Sequence, residues 1–337
     1  MPGIARVAVV GTGSWGTTLA VMLARNGQDT VLLCRSEAEA RRLETDGENR
    51  RFRPGLSFPA GLHVDSHPDR LREAEVVVLA VPAASVPANA ALVRPHLAST
   101  ATVVSATKGI EPETGALVSD LLVAAGMAPA QVCALSGPNF SAEIAAGLPA
   151  ATVIAGPDRE RVRAAQALFM SDNFRVYASD DLAGVQLGGA LKNVVAIACG
   201  ISDGLGSGQN AKAALMTRAL AEITRLGVAC GARAMTFLGL AGIGDLIATC
   251  ESDLSRNRRL GLAIAQGRGL EEALAGIDGV VEGVGTARAA RVLARRHGVE
   301  MPIAEQLCAV LFEGKDPARS LLDLMRRPPK QEFPESG

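Results

Sequence analysis

Apolar positions along the chain change rhythm once, near residue 180. Before that point, short unbroken runs of Val, Leu, Ile and Ala alternate with stretches of helical spacing. Arg6–Val10 is a continuous run rich in β-branched residues, as expected for a strand buried on both faces. A glycine turn, Gly11-Thr12-Gly13-Ser14-Trp15-Gly16, follows at once. Residues 17–26 then place Leu19, Met22 and Leu23 on one side of a helix, which Gly27 ends as a C-terminal cap. Residues 30–34 are a second strand, so the opening segment reads strand, glycine turn, helix, strand: a βαβ unit. The same alternation predicts strands at 76–81, 101–105, 132–135, 151–155 and 174–177, and helices at 38–45, 115–125 and 158–169. Such a pattern means an open, mostly parallel, doubly wound α/β sheet with helices on both faces.

After Asp180 no further strand is legible. Segments 185–199, 210–226, 233–240, 255–266, 270–275, 285–297 and 303–311 all read as helices. The chain therefore divides into an α/β domain over 1–183 and an all-α domain over 184–327. A polar, Pro-bearing tail, 328–337, is expected to be disordered. A length of 337 residues agrees with two domains.

Composition narrows the function. With 48% hydrophobic and 20% charged residues the chain can fill a core, which excludes disordered and fibrous classes. Aromatics are only 3%, so that core is aliphatic. The 34 Lys and Arg against 35 Asp and Glu show no basic excess of the kind that grips nucleic acid, so an anionic partner must be held by a few placed cations. The six cysteines (34, 133, 199, 230, 250 and 308) include no C-x-x-C pair and read as buried thiols in a reducing compartment. The N-terminus runs straight into a strand, leaving no room for a signal peptide, and the uncharged run 76–93 carries Pro82, Ser85, Pro87 and Asn89, which no membrane span tolerates easily. A cytoplasmic protein without a membrane span is expected.

The glycine turn ends a strand and opens a helix, the context in which G-x-G-x-x-G has a mechanism. Gly11 allows the tight turn, Gly13 lets backbone approach a pyrophosphate, and Gly16 lets helix pack on strand. The helix N-terminus then offers free N–H groups and a positive dipole end to the phosphates. NAD-selective folds usually place an acid at the end of the second strand; here it reads Cys34-Arg35-Ser36. Arg35 is suited to bond a 2′-phosphate and stack on adenine, the alternative being a solvated surface arginine. NADPH is therefore expected to be accepted at least as well as NADH.

Three turns at strand ends carry polar groups facing one crevice: the Pro82 turn, Lys108, and Ser136-Gly137-Pro138-Asn139. Lys192 is the single formal charge in an apolar, small-residue helix. Burial there should lower its pKa toward the range of tuned catalytic lysines, unless it snorkels to solvent. Asp245, alone in Ala241-Gly242-Ile243-Gly244-Asp245-Leu246-Ile247, is either a helix cap or its partner. Ser255-Arg256-Asn257 at a helix start is suited to hold a phosphate, with Arg258 and Arg259 on a solvated basic face. His63 and His67, with Pro68 next, make no credible metal site, and no metal is expected.

Together these stretches resemble the bacterial NAD(P)-dependent glycerol-3-phosphate dehydrogenase family. The resemblance runs in order through the glycine turn, Ala106-Thr107-Lys108-Gly109, Ser136-Gly137-Pro138, the segment 184–193, Gly242-Ile243-Gly244-Asp245-Leu246, Ser255-Arg256-Asn257-Arg258-Arg259 and Val281-Glu282-Gly283. It implies a Rossmann-type domain joined to a helical domain, with the active site between them. It also implies reversible reduction of dihydroxyacetone phosphate to sn-glycerol 3-phosphate, supplying glycerophospholipid synthesis, with a homodimer common. Lys192 falls at the position of the proton donor or acceptor, and Lys108 at one touching substrate and cofactor. Gly137, Asn139, Asp245, Ser255, Arg256 and Asn257 fall at substrate-contacting positions. Ser14, Trp15, Arg35, Phe52, Lys108, Ser141, Arg256, Val280 and Glu282 fall at cofactor-contacting ones. Asn139 stands where the family usually has Ser or Thr, and Phe52 where Tyr is common. The rival readings are another two-domain hydroxyacid or ketoacid reductase, and a non-catalytic dinucleotide sensor, which would need the glycines but not Lys108, Lys192 and Asp245 together.

Overall fold

The computed structural model describes residues 4–329 and 331–332. Ten strands form, in chain order: β1 (Arg6–Val10), β2 (Asp29–Leu33), β3 (Glu48–Asn49), β4 (Arg53–Ser57), β5 (Leu62–Asp65), β6 (Val76–Leu79), β7 (Thr102–Ser105), β8 (Val132–Ser136), β9 (Ala150–Ala155) and β10 (Phe174–Ser179). Eight of them build one sheet in the order β10-β9-β8-β7-β6-β1-β2-β5, and β3 with β4 makes a small antiparallel hairpin. All pairings in the large sheet are parallel except β8 with β9.

The unbroken apolar runs have the cause expected of them. In β1, Val7 and Val9 enter the core on one face of the sheet, while Ala8 and Val10 enter the core on the other. Helices on both faces require every position of the central strands to be buried. Because β1, β6, β7 and β8 run the same way, their carboxyl ends deliver the glycine turn, the Pro82 turn, Lys108 and Gly137 to one edge.

Among the described residues no strand follows Ser179. The helical part is organised around Leu182–Gly204, 23 residues long and buried almost all round. Its glycines explain how so apolar a helix packs so closely. A Cβ on Gly188 would meet Ala241 O at 2.5 Å, and one on Gly200 would meet Arg258 O at 2.1 Å. From the facing helix, a Cβ on Gly261 would meet Ile197 O at 2.1 Å. By length and hydropathy this helix and the stretch Ala234–Glu251 are each sufficient to cross a membrane. The first is 83% buried inside the protein over its most apolar window, and the second is interrupted by non-helical backbone at Gly242.

Several elements escaped the periodicity. The edge strand β5, the β3–β4 hairpin and the helices Val86–Val93, Asp245–Glu251 and Pro317–Met325 were not expected. The helix expected from 115 begins at Val118, because Gly115 adopts φ +71° in a turn whose N–H groups bond the Glu111 carboxylate. Of the expected tail, Pro328, Pro329, Gln331 and Glu332 are exposed and outside regular structure; Lys330 and residues 333–337 lie outside the described residues.

Candidate active site

Asp245 opens the helix Asp245–Glu251 immediately after the irregular turn Leu240–Gly244, and its side chain is almost fully buried. The carboxylate does not cap the helix. One oxygen accepts from Lys192 Nζ and the other from Lys108 Nζ at 2.8 Å. Thr249, one turn further along the same helix face, accepts a second hydrogen bond from Lys192 Nζ at 2.6 Å. Lys108 reaches across from the end of β7 and also donates to Gly137 O at 2.6 Å, at the end of β8. One carboxylate from the helical part thus joins two ammonium groups, one from each part of the chain. An ammonium has three donors. Each lysine spends two here, leaving one N–H for an incoming oxygen.

Lys192 is 6% exposed, so the solvent-snorkelling alternative fails. Burial pushes its ammonium down to about 8; Asp245 opposes that shift and the neighbouring Lys108 charge adds to it. The close approach depends on Gly189, where a Cβ would sit 2.1 Å from Ser136 Oγ. Ser136 Oγ and Asn139 Oδ1 are buried without hydrogen-bond partners among the described residues, while Asn139 Nδ2 donates to Thr152 Oγ1 at 3.0 Å. Polar atoms left open beside two ammonium groups suit a small oxygen-rich ligand.

The glycine turn is tight at Gly11 and Gly16 and open at Gly13. Gly11 has φ +114° and lies so close to β6 that a Cβ would meet Ala80 O at 2.5 Å. A Cβ on Gly16 would meet Gly11 O at 1.9 Å, whereas one on Gly13 would meet nothing within 4 Å. Among the described residues no side chain caps the helix Ser14–Arg25, so its first N–H groups stay available to a phosphate. Ser14 Oγ lies 2.9 Å from Ser141 Oγ, and Trp15 Nε1 is buried with no hydrogen-bond partner among the described residues. The close backbone approach, open space at Gly13 and orphaned donors fit a dinucleotide pyrophosphate.

Ser255 caps the helix Arg256–Ala265 by accepting from Arg258 N at 3.2 Å. Arg256 has neither hydrogen bond nor ion pair among the described residues, and its guanidinium lies against Gly279. Asn257 is buried and engaged: it donates to Asn193 Oδ1 and accepts from Gly283 N, both at 2.9 Å. Glu282 accepts from Ala83 N at 3.1 Å, tying the helical part to the Pro82 turn. Burial raises its carboxyl above the ordinary range, against that hydrogen bond and the Arg256 charge. Arg258 corrects the expectation of a solvated basic face: it is largely buried and paired with Asp203 at 2.8 Å.

Three proposed cofactor contacts lie outside these clusters. Arg35 extends into solvent 3.9 Å from Glu39, Phe52 lies beside the Arg51 guanidinium, and Val280 is exposed. Sequence reasoning missed Thr249, whose i+4 spacing from Asp245 was available as a signal. It also missed Glu39, whose carboxylate bonds Thr12 Oγ1 at 2.8 Å and Arg35 N at 3.2 Å, and Asn49, which holds the glycine turn. Only the fold brings those last two to the turn. No group of three or more His, Cys, Asp or Glu side chains suited to a metal occurs among the described residues.

Comparison with known proteins agrees with this geometry. Residues 6–162 match the family model for the N-terminus of NAD-dependent glycerol-3-phosphate dehydrogenase, and residues 181–322 match the model for its C-terminus. Glycerol-3-phosphate dehydrogenase [NAD(P)+] of Moorella thermoacetica is 46% identical over 332 residues, covering 98% of each chain. That of Aliivibrio fischeri is 45% identical over 328 residues, covering 97% of this chain and 96% of the relative. The crystal structure of glycerol-3-phosphate dehydrogenase from Coxiella burnetii superposes with a TM-score of 0.91 at 35% identity, covering 97% of this chain and all of that one. With a Rossmann-type sheet, a helical C-terminal half and both lysines on one carboxylate, the chain belongs to the NAD(P)-dependent glycerol-3-phosphate dehydrogenase family of oxidoreductases.

Proposed function

We propose that this protein reduces dihydroxyacetone phosphate to sn-glycerol 3-phosphate, reversibly, with NADPH or NADH. The observation that carries the reading is the Lys108–Asp245–Lys192 cluster, with one free N–H on each ammonium, at the carboxyl edge of the sheet. When bound, the reduced nicotinamide supplies the hydride to C2. Reduction builds negative charge on the C2 oxygen. Lys192 donates its proton there and Lys108 adds a second positive charge. Asp245 and Thr249 hold the Lys192 ammonium in place. Gly11, Gly13, Ser14, Trp15, Gly16 and Ser141 receive the dinucleotide, with Arg35, Phe52, Val280 and Glu282 as its further contacts. Arg256, with Ser255 and Asn257, anchors the substrate phosphate, so that binding energy remote from C2 orients the reacting atoms. Gly137 and Asn139 complete the substrate side.

Residues 1–183 form the dinucleotide-binding domain in this reading and 184–327 the catalytic one. A cytoplasmic location fits it, supported by six free thiols, five of them buried, and a homodimer is the assembly this reading expects. The test is an absorbance assay with each reduced cofactor. Oxidation of NADPH by dihydroxyacetone phosphate but not by unphosphorylated ketoacids is expected, and Lys192→Ala should abolish it while cofactor still binds. Near-normal turnover in that variant, or preference for a ketoacid, overturns the assignment.

A further inference from the structure

Arg53 was not among the residues the sequence singled out. It opens β4 opposite Asn49 of β3. Asn49 is buried, and its Nδ2 donates to Thr12 O and to Thr17 Oγ1, both at 2.8 Å. The hairpin is therefore fastened to the glycine turn, and β4 is carried to its mouth. There the Arg53 guanidinium donates to Ser141 Oγ, which in turn lies 2.9 Å from Ser14 Oγ in the turn itself.

The guanidinium has no carboxylate partner among the described residues, and its Nε is buried without any hydrogen bond. An arginine keeps its charge in proteins, so this is a half-buried cation with unspent donors and no counter-ion. Such a group is costly unless an anion completes it. It stands beside an uncapped helix N-terminus and an open Gly13, where an anion of fork-matching geometry is already favoured.

We propose that Arg53 is a further cofactor-binding residue, grasping the pyrophosphate of the dinucleotide from the hairpin side of the glycine turn. The inference rests on the dinucleotide reading of that turn. Pyrophosphate is common to NADH and NADPH, so Arg53 supplies affinity for both and discriminates neither; discrimination belongs to groups such as Arg35 at the end of β2.

Trp15 is the one tryptophan in the chain and lies in the same turn, so its fluorescence reads binding without turnover. Titration with NADH and NADPH separately should show Arg53→Gln weakening both by the same factor, about 10- to 100-fold, as expected for a lost hydrogen bond to a charged group. The KM for dihydroxyacetone phosphate at saturating cofactor should not move. Arg53→Lys, which keeps the charge, should bind both cofactors between the wild type and the Gln variant. Unchanged cofactor affinity in both variants overturns the proposal. So does a loss confined to NADPH, which would make Arg53 a 2′-phosphate ligand, or a rise confined to the substrate KM. Equal losses in the Lys and Gln variants, with a lowered melting temperature in each, would reduce Arg53 to a structural tether of Ser141. If the wild type itself gave no fluorescence change with either cofactor, the dinucleotide reading would fall as well.

Discussion

Asp245→Asn is the sharpest perturbation of the site, because it removes a charge while keeping shape. The wild-type carboxylate holds two ammonium groups, Lys108 at 2.8 Å and Lys192 on its other oxygen. At that distance, with an effective dielectric constant of about 20, a unit-charge pair interacts by about 6 kcal/mol before relaxation. Observed shifts from one opposite charge are smaller, about 1–3 pKa units. Lys192 already sits near about 8 through burial. Losing its counter-ion while keeping Lys108 nearby should take it to about 5–7. At about pH 7.5 its protonated fraction then falls about threefold for one unit and about 25-fold for two, and the rate of reduction falls in proportion. The assay is the pH profile of kcat/KM for reduction of dihydroxyacetone phosphate, paired with oxidation of glycerol 3-phosphate. The alkaline limb of reduction, near about 8 in the wild type, should move to lower pH, and the acid limb of oxidation should move with it. A limb that stays at its wild-type position, with only the plateau lowered, would show that Asp245 does not set the Lys192 proton affinity.

Gly16→Ala and Gly13→Ala separate folding from binding. The first places a Cβ 1.9 Å from Gly11 O, so thermal unfolding should show a loss of about 1–3 kcal/mol together with cofactor binding. The second meets nothing within 4 Å and should leave the melting temperature unchanged while cofactor affinity drops; a destabilised Gly13→Ala would contradict the assignment. Arg256→Ala should raise the KM for dihydroxyacetone phosphate about tenfold or more with little change in kcat, measured by steady-state kinetics at saturating cofactor. Glu222 is buried, accepts from Ile303 N at 3.0 Å, and burial pushes its carboxyl up to about 7 from the ordinary 4.5. A raised folded pKa means stability that is complete below the ordinary value and lost as pH rises through about 7. Glu222→Gln should therefore flatten the melting temperature across about pH 5–8, removing a loss on the order of 3 kcal/mol, and superimposable wild-type and variant profiles would rule this out.

Much of this molecule is local in origin and so was legible in its residues. Unbroken apolar runs specify strands buried on two faces, and helical spacing specifies what lies between them. The glycine turn needs only its own backbone geometry and the strand beside it. Lys192 could be singled out because a lone charge in an apolar helix is an energetic anomaly that has to be compensated somewhere. What the residues could not disclose is who meets whom. Asn49, Glu39 and Arg53 owe their places to tertiary contact: a two-residue strand pins a hairpin against the glycine turn and Glu39 reaches Thr12 from the helix after β2, whereas Thr249 stands one turn from Asp245 and only its meeting with Lys192 required the fold. The edge strand β5 went unread because its alternation of Leu62 and Val64 with His63 and Asp65 spans only four residues, too few to stand out from a loop, and the reversed direction of β9 because pairing sense leaves no local mark. The physical reason is common to all of them: periodicity records which side of an element is buried, whereas hydrogen bonds and charge pairs form between elements distant in the chain and exist only once the fold has closed.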